Sequence, residues 1–133
     1  MQHAKEHVVR ALILPIVLAA LATPAQAQSL QLIGYSGYLG EWEVTATVTE
    51  DTLGRKQYTG PMTMKHVGIC TQGGPEERTG KIRLERSASL SRLNATLSVD
   101  GVECTYSGQL SDFYTGTMSC PGREEVPLKL WAR

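Results

Sequence analysis

Residues 41–49 alternate without a break. Trp42, Val44, Ala46 and Val48 fall on one side, and Glu41, Glu43, Thr45, Thr47 and Thr49 on the other. A period of two belongs to an extended strand, whereas helix faces recur at three and four residues. The segment is therefore a strand with one face in an apolar core and one in water. The same pattern continues along the chain. Residues 58–67 form a second strand with an irregularity at Gly60-Pro61, and residues 81–86 a third with Ile82 and Leu84 on one face. Residues 89–99, 102–110, 113–120 and 125–131 follow at short intervals. Asp100-Gly101 has the residues of a type I′ hairpin turn. Leu53-Gly54, Gly73-Gly74-Pro75, Ser111-Asp112 and Pro121-Gly122 mark other turns and loops.

Seven or eight strands on short connections make an all-β antiparallel meander. In a chain this small, an open sheet would leave one apolar face bare. The expected fold is therefore a small antiparallel up-and-down barrel or a flattened barrel-like sandwich. Pro127 lacks the N–H that a ladder needs, which predicts a bulge or an edge in the last strand and bears on whether the barrel closes.

Residues 1–27 are read as a secretory signal peptide and kept out of the fold. Lys5 and Arg10 give a basic start, residues 11–22 are apolar, and Ala25-Gln26-Ala27 has the small-x-small pattern of a cleavage site. The apolar run falls short of the roughly 20 residues of a bilayer span. The expected location is the bacterial periplasm or the secreted fraction, with no transmembrane segment after cleavage. Thirteen basic and thirteen acidic residues give a net charge of zero, which excludes a strongly basic nucleic-acid binder and a charge-rich disordered chain.

An oxidising compartment favours pairing among Cys70, Cys104 and Cys120. Centring the hairpin between Cys104 and Cys120 on Asp112 puts Leu110 opposite Tyr114, Gly108 opposite Gly116, Tyr106 opposite Met118 and Cys104 opposite Cys120. The Asp100-Gly101 hairpin independently puts Cys104 opposite Leu97, on the inward face. A Cys104–Cys120 bridge is the expected staple, and Cys70 is left over in a Gly-rich loop.

Catalysis finds little support. Export leaves His66 as the one histidine, and no serine sits in a G-x-S-x-G elbow. The adjacent pairs Glu76-Glu77 and Glu124-Glu125 read as solvated loop charges, because neighbours in an extended chain point apart. No cofactor is expected. Met62, Met64 and His66 alternate onto one strand face, where thioethers and imidazole would suit Cu(I); the same residues also read as core filler and a strand end.

Gly40-Glu41-Trp42 opens the first clear strand as G-x-W, and Lys129 or Arg133 offers a cation near the end of the chain. This resembles the signature of calycin-type barrels, namely lipocalins, avidins and small bacterial metalloprotease inhibitors. The resemblance implies a Trp closing one end of the barrel beneath a basic side chain. The length without residues 1–27 is similar to that of the small inhibitors, whose residues ahead of the barrel enter the protease cleft. Three cysteines depart from their single disulfide, and no ligand site carries across. The Met-His face is similar to sites in small periplasmic copper-binding barrels, which also use a nearby Trp.

Residues 28–40 accordingly read as an N-terminal arm ahead of a domain at 41–133. Leu32, Ile33, Tyr35 and Tyr38 are its candidate contacts with a protein partner. The leading expectation is an exported non-catalytic binding module for a protein. The alternatives are a carrier of a small apolar ligand or of Cu(I), and a structural envelope protein. An open apolar mouth would favour the carrier, and a filled barrel with a projecting arm the protein binder.

Overall fold

The structure, a computed structural model, describes residues 28–51, 56–67, 74 and 76–133. The predicted signal peptide, the Leu53-Gly54 turn and Cys70 lie outside the described residues. Eight antiparallel strands follow in order: β1 (Ser29–Ser36), β2 (Trp42–Glu50), β3 (Gln57–His66), β4 (Glu77–Arg86), β5 (Arg92–Val99), β6 (Val102–Leu110), β7 (Tyr114–Ser119) and β8 (Val126–Ala132). Each pairs with the next, and β1 pairs with β8, so the sheet closes into an up-and-down barrel. A barrel of eight strands has an interior just wide enough for side chains to fill or for one small ligand.

Alternation sets the two surfaces. Val44, Ala46 and Val48 of β2, Ile82 and Leu84 of β4, Leu93 and Leu97 of β5, and Leu128 and Leu130 of β8 are buried inside. Thr45, Thr47, Arg83, Glu85, Asn94 and Lys129 are exposed on the outside. An apolar interior and polar exterior is the reverse of a lipid-embedded barrel. Among the described residues no helix is long and apolar enough to cross a membrane.

Both hairpin registers follow the sequence reading. Leu97 faces Cys104, and Tyr106, Gly108 and Leu110 face Met118, Gly116 and Tyr114. Asp100 and Gly101 both have positive φ, 51° and 77°, as a type I′ turn requires. One step beyond the β6–β7 ladder, Cys104 and Cys120 are disulfide-bonded with Cα atoms 4.3 Å apart. The β2–β3 ladder lapses around Gly60-Pro61 and resumes without a shift in register.

Three expectations are corrected. Residues 28–40 are not an arm, because Ser29–Ser36 is the strand that closes the barrel. Leu30 and Leu32 point into the core, but the second half of the strand is inverted, with Gly34 and Ser36 buried inside while Ile33 faces Trp131 outside. The strand expected at 81 begins at Glu77, and the one expected at 89 begins at Arg92 after a turn. Pro127 opens no edge. Its carbonyl accepts a hydrogen bond from the Gly37 N–H at 3.0 Å, one residue beyond the end of β1. Its missing N–H thus falls on the β1 side where the ladder has already ended.

Candidate functional site

The two ends of the barrel are finished differently. At the end where β1, β3, β5 and β7 begin, aromatic side chains plug the interior. Tyr58, Tyr106 and Tyr114 are buried there. The Tyr114 hydroxyl donates to the Leu90 carbonyl at 2.7 Å and accepts from Arg86 Nε at 3.3 Å, with the Arg86 guanidinium over the Tyr114 ring. Tyr106 lies across Gly108, where a Cβ would collide with the phenol oxygen. That hydroxyl is buried without a hydrogen-bond partner among the described residues. Burial, and secondarily the nearby Tyr114, push it up to about 12, because charging a phenol in an apolar surround is costly.

At the other end the interior is open among the described residues. A cavity of about 290 Å³ is floored by Met64, Leu97, Val99, Met118, Val126 and the Cys104–Cys120 bridge. Its rim carries Trp42, Arg78, Asp100, Arg123, Glu124 and Glu41. Trp42 is the register partner of His66, and their rings meet edge to face at 4.7 Å. The Arg78 guanidinium sits over the Trp42 ring, 5.9 Å from its centroid. The same group binds Glu76 through Nη2 at 2.8 Å and Nε at 3.0 Å, and reaches Asp100 at 3.4 Å. The Glu76 hydrogen bond and charge raise the Arg78 pKa further, with Asp100 adding in the same direction. Glu41 accepts from the Leu39 N–H at 3.0 Å, which fixes the loop after β1.

The candidate residues divide between these regions. Leu32 is buried in the core at 1% exposure and is no partner contact. Ile33 and Tyr35 face outward, Tyr38 is 72% exposed, and the Tyr38 hydroxyl donates to the Glu125 carbonyl at 3.0 Å. Tyr35 meets Trp131 edge to face at 5.9 Å, and Phe113 lies 4.5 Å from Trp131 on its other side. Met62, Met64 and His66 share the inward face of β3, but Met62 is sealed in the core at 2% exposure. Met64 lines the mouth, and His66 packs behind Trp42, which lines it too.

The G-x-W tryptophan opens β2, the second strand, and lines an open mouth. Its cation is Arg78 of β4 in place of Lys129 or Arg133. Lys129 lies on the outside over Phe113 at 5.6 Å, and the Arg133 backbone pairs with Gln31. Starting the third strand at residue 81 leaves Arg78 in a loop. The alternation run back from Leu84 through Ile82 and Gly80 would have placed it inward, at the mouth.

A small eight-stranded antiparallel barrel plugged at one end and open at the other is compatible with a calycin-like architecture. Comparison of the chain with family models, curated proteins and solved structures gives no match.

Proposed function

We propose that the chain is an exported, non-catalytic binding module that holds one compact small ligand in the open end of its barrel. The observation that carries the reading is the apolar-floored cavity of about 290 Å³ at one end of an otherwise filled interior. Ligand sites are concave, mostly apolar and edged by a few polar groups, at about 300 Å³ and upward. This cavity is at the lower limit, and the filled core beneath it excludes a long chain. The carrier reading therefore replaces the protein-binding arm as the leading one. Export fits the Cys104–Cys120 bridge, and intact mass of the periplasmic protein tests loss of residues 1–27.

Indole, a neutral and compact probe, tests the site. Binding raises the melting temperature by mass action. The wild type is expected to gain stability with added indole. Val126→Phe, which fills the mouth, should lose that response, and Tyr38→Ala should keep it. No response in the wild type, or an unchanged one in Val126→Phe, would contradict the reading.

A protein partner remains the second reading, on one observation. Tyr38 and Leu39 are 72% and 94% exposed beside the outward cluster of Tyr35, Trp131 and Phe113. Large exposed apolar patches mark interaction surfaces. An indole response lost in Tyr38→Ala and kept in Val126→Phe would favour this face.

A further inference from the structure

We propose that the open end is a receptor for a compact organic cation, an alkylammonium or alkylguanidinium on a short apolar stem, and that Arg78 occupies it as a tethered competitor. This rests on the reading of the open end as a ligand site and names the chemistry it selects.

The groups that hold the Arg78 guanidinium are fixed by backbone. Trp42 is paired to His66 across β2 and β3 and packed against its ring. The Glu76 carbonyl accepts the His66 N–H at 2.8 Å, tying that residue to the end of β3. Asp100 sits in the type I′ turn, at φ 51°. An aromatic face and two carboxylates are thus set on three separate elements around one point. That is the constellation which recognises a cation. The occupant is a long side chain held at the surface: Arg78 is 44% exposed, and its partners Glu76 and Asp100 are 54% and 65% exposed. Exposed ion pairs of this kind hold weakly, so the side chain can leave for solvent.

Charge and depth narrow the ligand. Four carboxylates, Glu41, Glu76, Asp100 and Glu124, surround the mouth against two guanidiniums, Arg78 and Arg123. The field there attracts cations and repels anions. Beneath the rim, Met64, Leu97 and Met118 offer an apolar seat, and below them Val44 and Leu128 are fully buried. A ligand would place its charge on Trp42, Glu76 and Asp100 and a stem of a few carbons on that floor. Arg78 delivers the same charge with no stem in the floor, so a ligand gains apolar burial that the tethered group lacks.

The test titrates n-butylguanidinium, n-butyrate and indole into the wild type and Arg78→Met, followed by heteronuclear NMR. Removing the competitor should tighten n-butylguanidinium binding about threefold, the scale of an exposed cation–π contact. Adding Glu76→Gln and Asp100→Asn to Arg78→Met should remove that gain, and Asn-Gly keeps the turn residues of a type I′ hairpin. Indole should bind all variants alike, and n-butyrate should bind weakest throughout. Equal n-butylguanidinium affinity in the wild type and Arg78→Met, or tighter binding of n-butyrate, would overturn the proposal. If Arg78→Met misfolds, the wild type decides alone: preference for n-butylguanidinium over n-butyrate supports the proposal, and the reverse sinks it. Indole binding without cation preference would remove this proposal and leave the open-end reading standing; failure of indole as well would remove both.

Discussion

Arg78 and Arg86 lie on the same inward face of β4, one at each end of the barrel, and each sits over an aromatic ring from another strand. Their surroundings separate their roles. Arg86 caps Tyr114, whose hydroxyl is anchored to Leu90, and its guanidinium has no carboxylate partner among the described residues. It closes a plug of three tyrosines. Arg78 lies between Glu76 and Asp100 above a cavity, so its guanidinium can be exchanged for another cation without opening the core. What distinguishes a plug from a gate here is the bulk beneath the arginine. Tyrosines fill the interior under Arg86, and Val126, Val99 and Met64 leave space beside Arg78.

The contrast presupposes a closed barrel, and its removal has the largest expected effect. Deleting residues 28–38 takes out β1 and leaves β2 and β8 as open edges. The cooperative thermal transition should disappear. A truncated protein that melts as before would mean that the strand is dispensable and the two ends are not parts of one closed barrel.

Within the intact barrel, truncations at the two ends should differ. Leu93 is fully buried near the plugged end, between Arg86 and Gly108 in the ladders. Leu93→Ala should cost about 3 kcal/mol in urea unfolding, as for a buried leucine that leaves a void. Met64→Ala at the mouth should cost about 1 kcal/mol, because it enlarges a space already open to water. Equal losses would mean that both ends are packed alike.

The disulfide belongs to the open end. Replacing Cys104 and Cys120 by Ser together should lower stability by about 3 kcal/mol in the chain-entropy account. Hydrogen exchange should then quicken at the β6–β7 end next to the cavity and hold steady around Tyr114. Uniform loss of protection would erase the distinction.

A smaller effect marks the plug. Tyr106 keeps its proton in the folded state up to about pH 12, whereas an ordinary phenol loses it near 10. The unfolded chain binds fewer protons between those values, so stability is full below about pH 10 and falls as pH rises toward 12. The loss should be about 2 kcal/mol. Tyr106→Phe should remove that part of the decline. It should not destabilise the protein at neutral pH, because the hydroxyl it deletes has no partner.

Most of the barrel was legible in the sequence where the local pattern and the packing agreed. Val44, Ala46 and Val48 alternate in the sequence and in burial, Asp100-Gly101 set Cys104 opposite Leu97, and the hairpin centred on Asp112 set Cys104 beside Cys120. The first strand was illegible because its regular alternation stops after Leu32 and packing inverts the second half. A Cβ at its inward position 34 would collide with the Lys129 backbone carbonyl oxygen as well as the Leu130 side chain, so glycine is what fits there. Its outward Ile33 and Tyr35 are apolar because Trp131 lies beside them. The site was legible in part. Trp42 and Met64 belong to the mouth as single residues, but the set around Arg78 joins residues from β2, β4 and two loops, and only closure of the barrel brings them together.

The methionine methyls test the central claim, that one end of this barrel takes a ligand and the rest of the interior is filled. Met64 and Met118 line the cavity, and Met62 is sealed in the core below it. With ¹³C-labelled methionine methyls and added indole, the Met64 and Met118 signals should shift in a saturable way while Met62 stays in place. A shift of all three together, or of none, would contradict the account.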